Sequence, residues 1–274
     1  MLVSFSQALY NDYIPMADER VLEVKNLTKK FGSCTAVDDL SLEIKTGEVL
    51  GLLGRNGAGK TTTIQMLLGV MDATHGSIHY FGKPFPKKRE EILKEINFAS
   101  TYISMPWFFT VDEILEIYAR LYEVKDRKKR IDKLLGEFEI EHLRKKQFSM
   151  LSAGEKTRLF LTKAFLNYPK VVLLDEPTAN LDLAHQATLL GLVRQRCDDR
   201  GLAALVITHD INLAAEFADQ VLLMKNGTMV AFGRGPEVFT PELIRQIFSV
   251  EVLVDAHPVS GVPRITPVHR SGIL

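Results

Sequence analysis

The sequence has few cysteines, no excess of either charge and no long apolar run, and each lack excludes a class of protein. Two cysteines in 274 residues, Cys34 and Cys197, are too few for a disulfide framework, so we expect buried or idle thiols in a reducing cytosol. Basic and acidic residues both number 34, and the zero net charge argues against a chain that coats nucleic acid or an anionic membrane. No apolar run approaches the roughly 18 residues that cross a bilayer. We expect a soluble chain that needs a partner to work at a membrane.

Apolar runs and helical stretches alternate along most of the chain. Short apolar runs, typical of buried strands, occupy residues 49–53, 171–174, 205–208 and 221–224. Stretches with helical character lie between them, and Asn226-Gly227 predicts a two-residue hairpin. From about residue 112 to 165 the apolar residues recur at helical spacing only. The sequence therefore predicts an α/β fold with a mostly parallel sheet and a helical insert.

A glycine-rich segment directly follows the first apolar run. Its pattern of Gly, four residues, Gly, Lys and Thr is typical of a phosphate-binding loop, because glycines let backbone N–H groups approach phosphate oxygens. The helix that follows adds a partial positive charge at its start, the lysine an ammonium, and the threonine a hydroxyl for Mg²⁺. The residues expected to bind a nucleoside triphosphate are Gly54, Arg55, Asn56, Gly57, Ala58, Gly59, Lys60, Thr61 and Thr62.

Two acids end the apolar run at residues 171–174. A buried strand rarely ends in paired carboxylates without a cation nearby, and a nucleotide-bound Mg²⁺ would supply one. We expect Asp175 to hold Mg²⁺ and Glu176 to polarise the attacking water. The alternative is an acid-rich helix start that follows a strand.

Two further segments have both a structural and a functional interpretation. Ser152 with Glu155 three residues later reads as a helix capping box, but a capping box does not require the glycine at position 154. A helix start with a small residue and a hydroxyl is also an anion site, which could receive the γ-phosphate of a nucleotide held by another subunit. His209 follows the run at residues 205–208, where a parallel strand ends beside a ligand crevice. We expect it to contact the γ-phosphate.

Taken together, these segments resemble the ATP-binding subunit of ABC transporters over about residues 21–240. Residues 54–61 look like the Walker A loop, residues 151–155 like the family signature, Asp175 and Glu176 like Walker B with its catalytic base, and His209 like the switch histidine. Residues 179–182, which include Asp182, look like the D-loop, and Phe31 looks like the aromatic residue that stacks on adenine. The alternative for Phe31 is a core residue.

The resemblance implies a fold, a domain organisation and a mechanism. The fold would be a P-loop NTPase (RecA-like) core with an antiparallel β subdomain and a helical subdomain inserted at about residues 102–165. Residues 1–20 would form an N-terminal extension, and residues 241–274 a C-terminal tail. Two copies, or this chain and a second ATP-binding subunit, would sandwich two ATP molecules head to tail, with Ser152, Ala153, Gly154 and Glu155 facing the partner's nucleotide. The pair would bind integral membrane permease subunits at the cytoplasmic face of the membrane, and no nucleic acid.

Three residues depart from the family pattern. Thr101 stands where the family usually has a glutamine, and its shorter reach makes it a weaker ligand for Mg²⁺ or water. Ala153 replaces a glycine, and Glu155 replaces a glutamine and adds negative charge near a phosphate site. Features of the first half also look like exporters, whereas residues 181–186, 209–213 and the tail resemble importers of iron-siderophore, haem or cobalamin.

Two other functions compete with the transporter ATPase. A soluble ABC-type ATPase that acts on nucleic acid or ribosomes is disfavoured by the single domain, the lack of heptads and the zero net charge. A nucleotide-sensing module with weak hydrolysis is favoured by Thr101 alone, while Glu176 and His209 argue against it.

Overall fold

A six-stranded sheet forms the centre of the molecule. The computed structural model describes residues 19–101 and 105–268, so the predicted extension at residues 1–18, residues 102–104 and the last six residues lie outside the described part. The strand order is β10-β9-β3-β8-β7-β6, all parallel except the edge strand β10. Its strands are β3 (Val49–Gly54), β6 (Ile96–Ser100), β7 (Val171–Asp175), β8 (Ala203–Ile207), β9 (Gln220–Lys225) and β10 (Thr228–Gly233).

A second sheet of four antiparallel strands packs beside the first. Its order is β2-β1-β4-β5, with β1 (Arg20–Phe31), β2 (Cys34–Lys45), β4 (His75–Tyr80) and β5 (Lys83–Pro84). Apolar residues are frequent at the start of β1, at residues 21–24, and alternate with polar residues in β2, at residues 41–44. The predicted mixed fold, a parallel core with an antiparallel β layer, is therefore confirmed.

Helices cover both faces of the central sheet. Two of them, α3 and α5, begin at complete capping boxes, formed by Thr110 with Glu113 and by Ser152 with Glu155. Three helices, α3 to α5, occupy the stretch predicted to be a helical insert. The helices are α1 (Lys60–Leu67), α2 (Arg89–Leu93), α3 (Val111–Leu121), α4 (Arg127–Glu137), α5 (Ala153–Ala164), α6 (Leu183–Arg200), α7 (Ile211–Phe217), α8 (Gly235–Val238) and α9 (Pro241–Phe248).

The alternation of side chains along β7 shows why the central strands are continuously apolar. Val172 and Leu174 pack into the core shared with α3 to α6, whereas Val171 and Leu173 pack into the core shared with α1, β1 and β2. All five residues of β7 are buried, because a parallel strand with a layer on each face has no solvent side. This packing holds the ends of the strands, where the polar residues lie, in fixed positions.

The chain after residue 248 forms a hairpin that the sequence interpretation missed. Strands β11 (Val252–Ala256) and β12 (Pro263–Pro267) pair antiparallel, and Ile265 is buried in a third core with α7 and α9. The Asn212 side chain makes hydrogen bonds to both the N–H (2.7 Å) and the C=O (3.0 Å) of Ile265. In the described part of the chain, no helix is both long enough and apolar enough to span a membrane.

Candidate active site

Polar residues follow four strands at the same edge of the central sheet. Because β3, β6, β7 and β8 run parallel, their carboxyl ends lie side by side. The phosphate loop follows β3, Thr101 follows β6, Glu176 follows β7, and Thr208 and His209 follow β8. The structure thus brings segments separated by more than 100 residues in the sequence to one sheet edge.

The phosphate loop curls around the ammonium group of Lys60. Lys60 is buried, and its Nζ donates hydrogen bonds to the carbonyl oxygens of Gly54 (2.7 Å) and Arg55 (3.1 Å). Gly59 has a φ of 102°, and a Cβ there would lie 2.6 Å from the carbonyl oxygen of Ala36 on β2. Only glycine fits that backbone position without displacing the neighbouring strand. The loop is therefore shaped by the close approach of β2 as well as by its own turn.

Partial burial shifts the pKa values of Lys60 in the phosphate loop and of Asp175 at the end of β7. Burial lowers the pKa of Lys60, while the negative charges of Glu176 and Asp175 act in the opposite direction. Burial also raises the pKa of Asp175, against a hydrogen bond from Ser100 and the charge of Lys60. The three groups thus form one partly desolvated cluster, in which an ammonium faces two carboxylates. A phosphate with a divalent cation would complete the charge balance of such a cluster.

Glu176 and His209 form a close pair at the ends of β7 and β8. The distance between Glu176 Oε1 and His209 Nε2 is 2.5 Å, and the histidine is more exposed than the glutamate. The backbone N–H of Glu176 donates to the carbonyl oxygen of Ile207 (3.0 Å), and Glu176 has a left-handed φ of 52°. Such a conformation is uncommon outside glycine and turns the chain sharply after the strand. The two predicted catalytic residues are therefore adjacent.

Ser100 is a site residue that the sequence interpretation missed. It ends β6 opposite Asp175 in the register of the parallel pair, and its Oγ donates to Asp175 Oδ2 (3.2 Å). Thr101, the residue singled out from the sequence, comes next in a turn and is half-buried. The sequence carried no usable signal for Ser100, because a serine at the end of a predicted strand is common and its partner lies 75 residues away.

The signature segment forms the start of α5 and has its own set of contacts. Ser152 Oγ accepts from the Glu155 N–H (3.3 Å), and Glu155 Oε2 accepts from the Ser152 N–H (2.6 Å), so the capping-box interpretation holds. Lys146 also donates to both oxygens of Glu155, at 2.9 and 3.1 Å. Burial opposes ionisation, but these hydrogen bonds leave the pKa of Glu155 below its ordinary value. The added negative charge of Glu155 is thus balanced by Lys146.

The glycine at position 154 has a packing reason within the chain. A Cβ there would lie 3.1 Å from the carbonyl oxygen of Asn180, so the start of α5 approaches the loop after β7 closely. Thr157 Oγ1 reinforces this approach by donating to Ala179 O at 3.3 Å. The signature helix and the predicted D-loop are therefore in direct contact.

Asp182 and Phe31 are both exposed residues. Asp182 caps α6, with Oδ1 accepting from the His185 N–H (2.9 Å), and this bond and one from the His185 side chain lower the pKa of Asp182. Phe31 is 48% exposed at the end of β1, with the Lys29 ammonium 5.1 Å from its ring centre. The core alternative for Phe31 is therefore wrong, because about half of its side chain is exposed and the Lys29 ammonium lies over the ring.

The donors at the sheet edge fit a magnesium ion that is carried in by a nucleotide. Mg²⁺ prefers oxygen ligands and is usually held by one or two carboxylates together with substrate phosphates and waters. Asp175 provides a carboxylate fixed at the end of β7, and Thr61, an exposed residue in the first turn of α1, provides a hydroxyl. The residues present therefore fit such an ion.

The parallel sheet, the phosphate loop and the acids at the end of the neighbouring strand define the chain as a P-loop nucleoside triphosphatase. Residues 37–179 match the sequence profile of the family described as ABC transporter. The chain therefore belongs to the ABC transporter family, as an ATP-binding subunit whose ATP hydrolysis is coupled to transport.

Relatives and solved structures agree with this assignment. The chain is 35% identical over 255 residues to the hemin import ATP-binding protein HmuV of Thermobifida fusca (strain YX), covering 90% of this chain and 89% of the relative. It is 36% identical over 257 residues to the protein of the same name from Pseudomonas fluorescens (strain Pf0-1), covering 89% and 99%. An ATP-binding subunit of an ABC transporter superposes with a TM-score of 0.75 at 27% identity, covering 82% of this chain and 92% of that chain. A dimeric ATP-binding cassette bound to ADP and Pi shares the fold, with a TM-score of 0.72, 24% identity, and coverage of 78% and 98%.

Proposed function

We propose that this chain hydrolyses MgATP as half of a head-to-tail dimer and thereby drives a membrane permease that imports a metal chelate of the hemin type. The observation that carries the hydrolytic part is the Glu176–His209 pair beside the phosphate loop. The cargo and the direction rest on the relatives, which are hemin import proteins aligned over nine-tenths of this chain. The exporter-like features of the first half gain no support from these relatives.

In the proposed reaction, each residue at the sheet edge has one task. Lys60 exchanges the carbonyl oxygens of Gly54 and Arg55 for phosphate oxygens, so the ammonium remains solvated by oxygen when ATP binds. Thr61 and Asp175 would hold Mg²⁺, which would supply charge neutralisation on the phosphates. Glu176 polarises the attacking water. His209 lies within hydrogen-bonding distance of the Glu176 carboxylate, so it orients that carboxylate and also contacts the γ-phosphate.

The partner copy would complete the nucleotide site. Ser152 and Ala153 are exposed at the start of α5, where the helix dipole and the Ala153 and Gly154 N–H groups, which take no part in the capping box, favour a phosphate. Since Lys146 balances Glu155, the substituted signature keeps no uncompensated negative charge toward that phosphate. Phe31 would stack on the adenine, and Asp182 would line the dimer interface beside the signature helix.

An exposed apolar patch on the helical insert supports a permease as the partner. Trp107 is 68% exposed, Phe108 is 50% exposed and Met150 is 66% exposed. They are neighbours, because the Ser149 N–H donates to the carbonyl oxygen of Trp107 (3.1 Å). Clustered exposed aromatic side chains are typical of protein-binding surfaces. The chain would thus sit at the cytoplasmic face of the membrane, held by the permease.

ATP turnover with and without Mg²⁺, together with light scattering, tests the hydrolytic proposal. Glu176→Gln keeps the shape of the side chain but removes its basicity, so we expect ATP binding to persist, turnover to fall by orders of magnitude and ATP-dependent dimers to accumulate. Glu216→Gln, at an acid on α7 that accepts a hydrogen bond from Ser260 Oγ (2.8 Å), is the matched control. Normal turnover in Glu176→Gln would refute the role of Glu176, and tight ATP binding without turnover in the native chain would favour a nucleotide sensor.

Transport is tested with membrane vesicles from the source cells that have been stripped of peripheral proteins. Adding the purified chain and ATP should restore hemin uptake, whereas Glu176→Gln should not. Uptake of other metal chelates but not hemin would overturn the cargo assignment and leave the ATPase assignment intact. Binding to ribosomes or nucleic acid in place of membranes would overturn both the partner and the location.

A further inference from the structure

Ser100 links the end of strand β6 to the acid that ends β7. It is the last residue of the edge strand β6, is 5% exposed, and donates from Oγ to Asp175 Oδ2 at 3.2 Å. Asp175 is 6% exposed and pairs with Ser100 across the parallel β6–β7 register. A hydrogen bond to one carboxylate oxygen restricts rotation of the carboxylate plane, so the position of the second oxygen, Oδ1, becomes defined as well.

Ser100 is the last residue of β6, so its contact with Asp175 depends on where that strand ends. Thr101 follows it in a turn, and its side chain is shorter than that of the glutamine that the family usually has there. The serine hydroxyl therefore provides a direct contact from the end of β6 to the carboxylate proposed to hold Mg²⁺. Since a displacement of 1 Å would lengthen a hydrogen bond of 3.2 Å beyond its useful range, the contact is sensitive to movement of the end of β6.

We propose that Ser100 is a positioning residue, which orients Asp175 so that its free oxygen faces the metal of MgATP. This inference rests on the proposed function, because it assumes that Asp175 holds that metal. It predicts that the affinity for Mg²⁺ at the site depends on Ser100, whereas the affinity for ATP alone does not. The reason is that the phosphate loop, which is expected to bind ATP, follows β3 and not β6.

Equilibrium binding of ATP, measured by calorimetry in EDTA and again in a Mg²⁺ titration, tests whether Ser100 affects Mg²⁺ affinity but not ATP affinity. For Ser100→Ala we expect an unchanged affinity for ATP in EDTA. The Mg²⁺ concentration that gives half of the full change in ATP affinity should rise about tenfold, the size expected from one hydrogen bond to a charged acceptor. Ser100→Thr keeps the hydroxyl and should restore the native titration. Thr162→Ala, which removes another buried hydroxyl that donates to Arg158 O at 2.8 Å, is the matched control for a general loss of stability.

Several outcomes would overturn the proposal. An unchanged Mg²⁺ titration in Ser100→Ala, or an equal loss of affinity in EDTA and in Mg²⁺, would show that Ser100 only supports the fold. If Ser100→Ala does not fold, Ser100→Cys keeps the size with a weaker donor and should give an intermediate shift, and a native titration would then refute the idea. If the native chain binds ATP and its turnover depends on Glu176, but the Mg²⁺ titration of Ser100→Ala is unchanged, only the inference about Ser100 has failed. If the native chain shows neither ATP binding nor Glu176-dependent turnover, the proposed function itself has failed.

Discussion

A buried lysine, Lys163, links the signature helix α5 to strand β6, and its burial predicts a measurable pH dependence of stability. Lys163 on α5 is 7% exposed, and its Nζ donates to the carbonyl oxygen of Phe98 on β6 at 2.8 Å. The ring of Tyr118 lies 5.4 Å from the ammonium, but no carboxylate in the described residues forms an ion pair with it. Burial lowers the pKa of Lys163 to about 8, because the charged form loses its hydration.

The folded chain must therefore hold a costly charge at neutral pH. The unfolded chain binds this proton near the ordinary value of 10.5 and the folded chain near 8, so the free energy of unfolding rises as the pH increases between these values. The whole difference corresponds to about 3 kcal/mol, of which about 1 kcal/mol is gained from about pH 7 to about pH 9. Lys163→Met has a similar shape and no charge, so its unfolding should lack this rise.

Urea denaturation of both proteins across that pH range is the measurement. The difference in unfolding free energy, native minus Lys163→Met, should increase by about 1 kcal/mol toward the higher pH. Other groups such as Cys197 titrate alike in the two proteins, so their contributions cancel in this difference. Lys145→Met, an exposed lysine, should give a difference that hardly changes with pH. If the native minus Lys163→Met difference did not change with pH, the claim that a desolvated charge lies between the signature helix and β6 would be refuted.

Two further predictions concern the sheet edge. Gly59→Ala should lower the free energy of unfolding by about 2 kcal/mol and weaken ATP binding, because the new Cβ would lie 2.6 Å from Ala36 O at a left-handed φ; native urea denaturation would contradict this. Thr101→Gln should raise basal ATP turnover if a longer side chain reaches the water or Mg²⁺ that threonine reaches poorly. Unchanged kinetics would mean that another group already performs that task.

Local patterns predicted much of the site, because the chemistry of its loops is encoded in short segments. The phosphate loop combines an apolar strand, fixed glycines, a lysine and a helix start within about 20 residues, and each is visible without knowledge of the fold. The same holds for Asp175 with Glu176 and for the Ser152 capping box. The roles of these residues toward ATP remain predictions, while their placement at one sheet edge or at the start of α5 is now observed.

Other features could not be predicted, since they depend on residues that are distant in the sequence. Ser100 meets Asp175 only through the β6–β7 register, and Lys146 meets Glu155 only because the chain folds back before α5. The β11–β12 hairpin lies in a stretch whose prolines favoured an irregular tail, and its burial against α7 and α9 outweighed that local preference.

The sequence by itself determined the class of this protein, because binding a phosphate needs a specific local backbone and a specific set of side chains. Only the tertiary structure decided why Gly154 must be small, how Glu155 is neutralised, and which hydroxyl orients Asp175. The physical reason is that parallel strands align their ends by hydrogen-bond register, which places residues 75 positions apart within 3.2 Å of each other and leaves no periodic trace in the sequence.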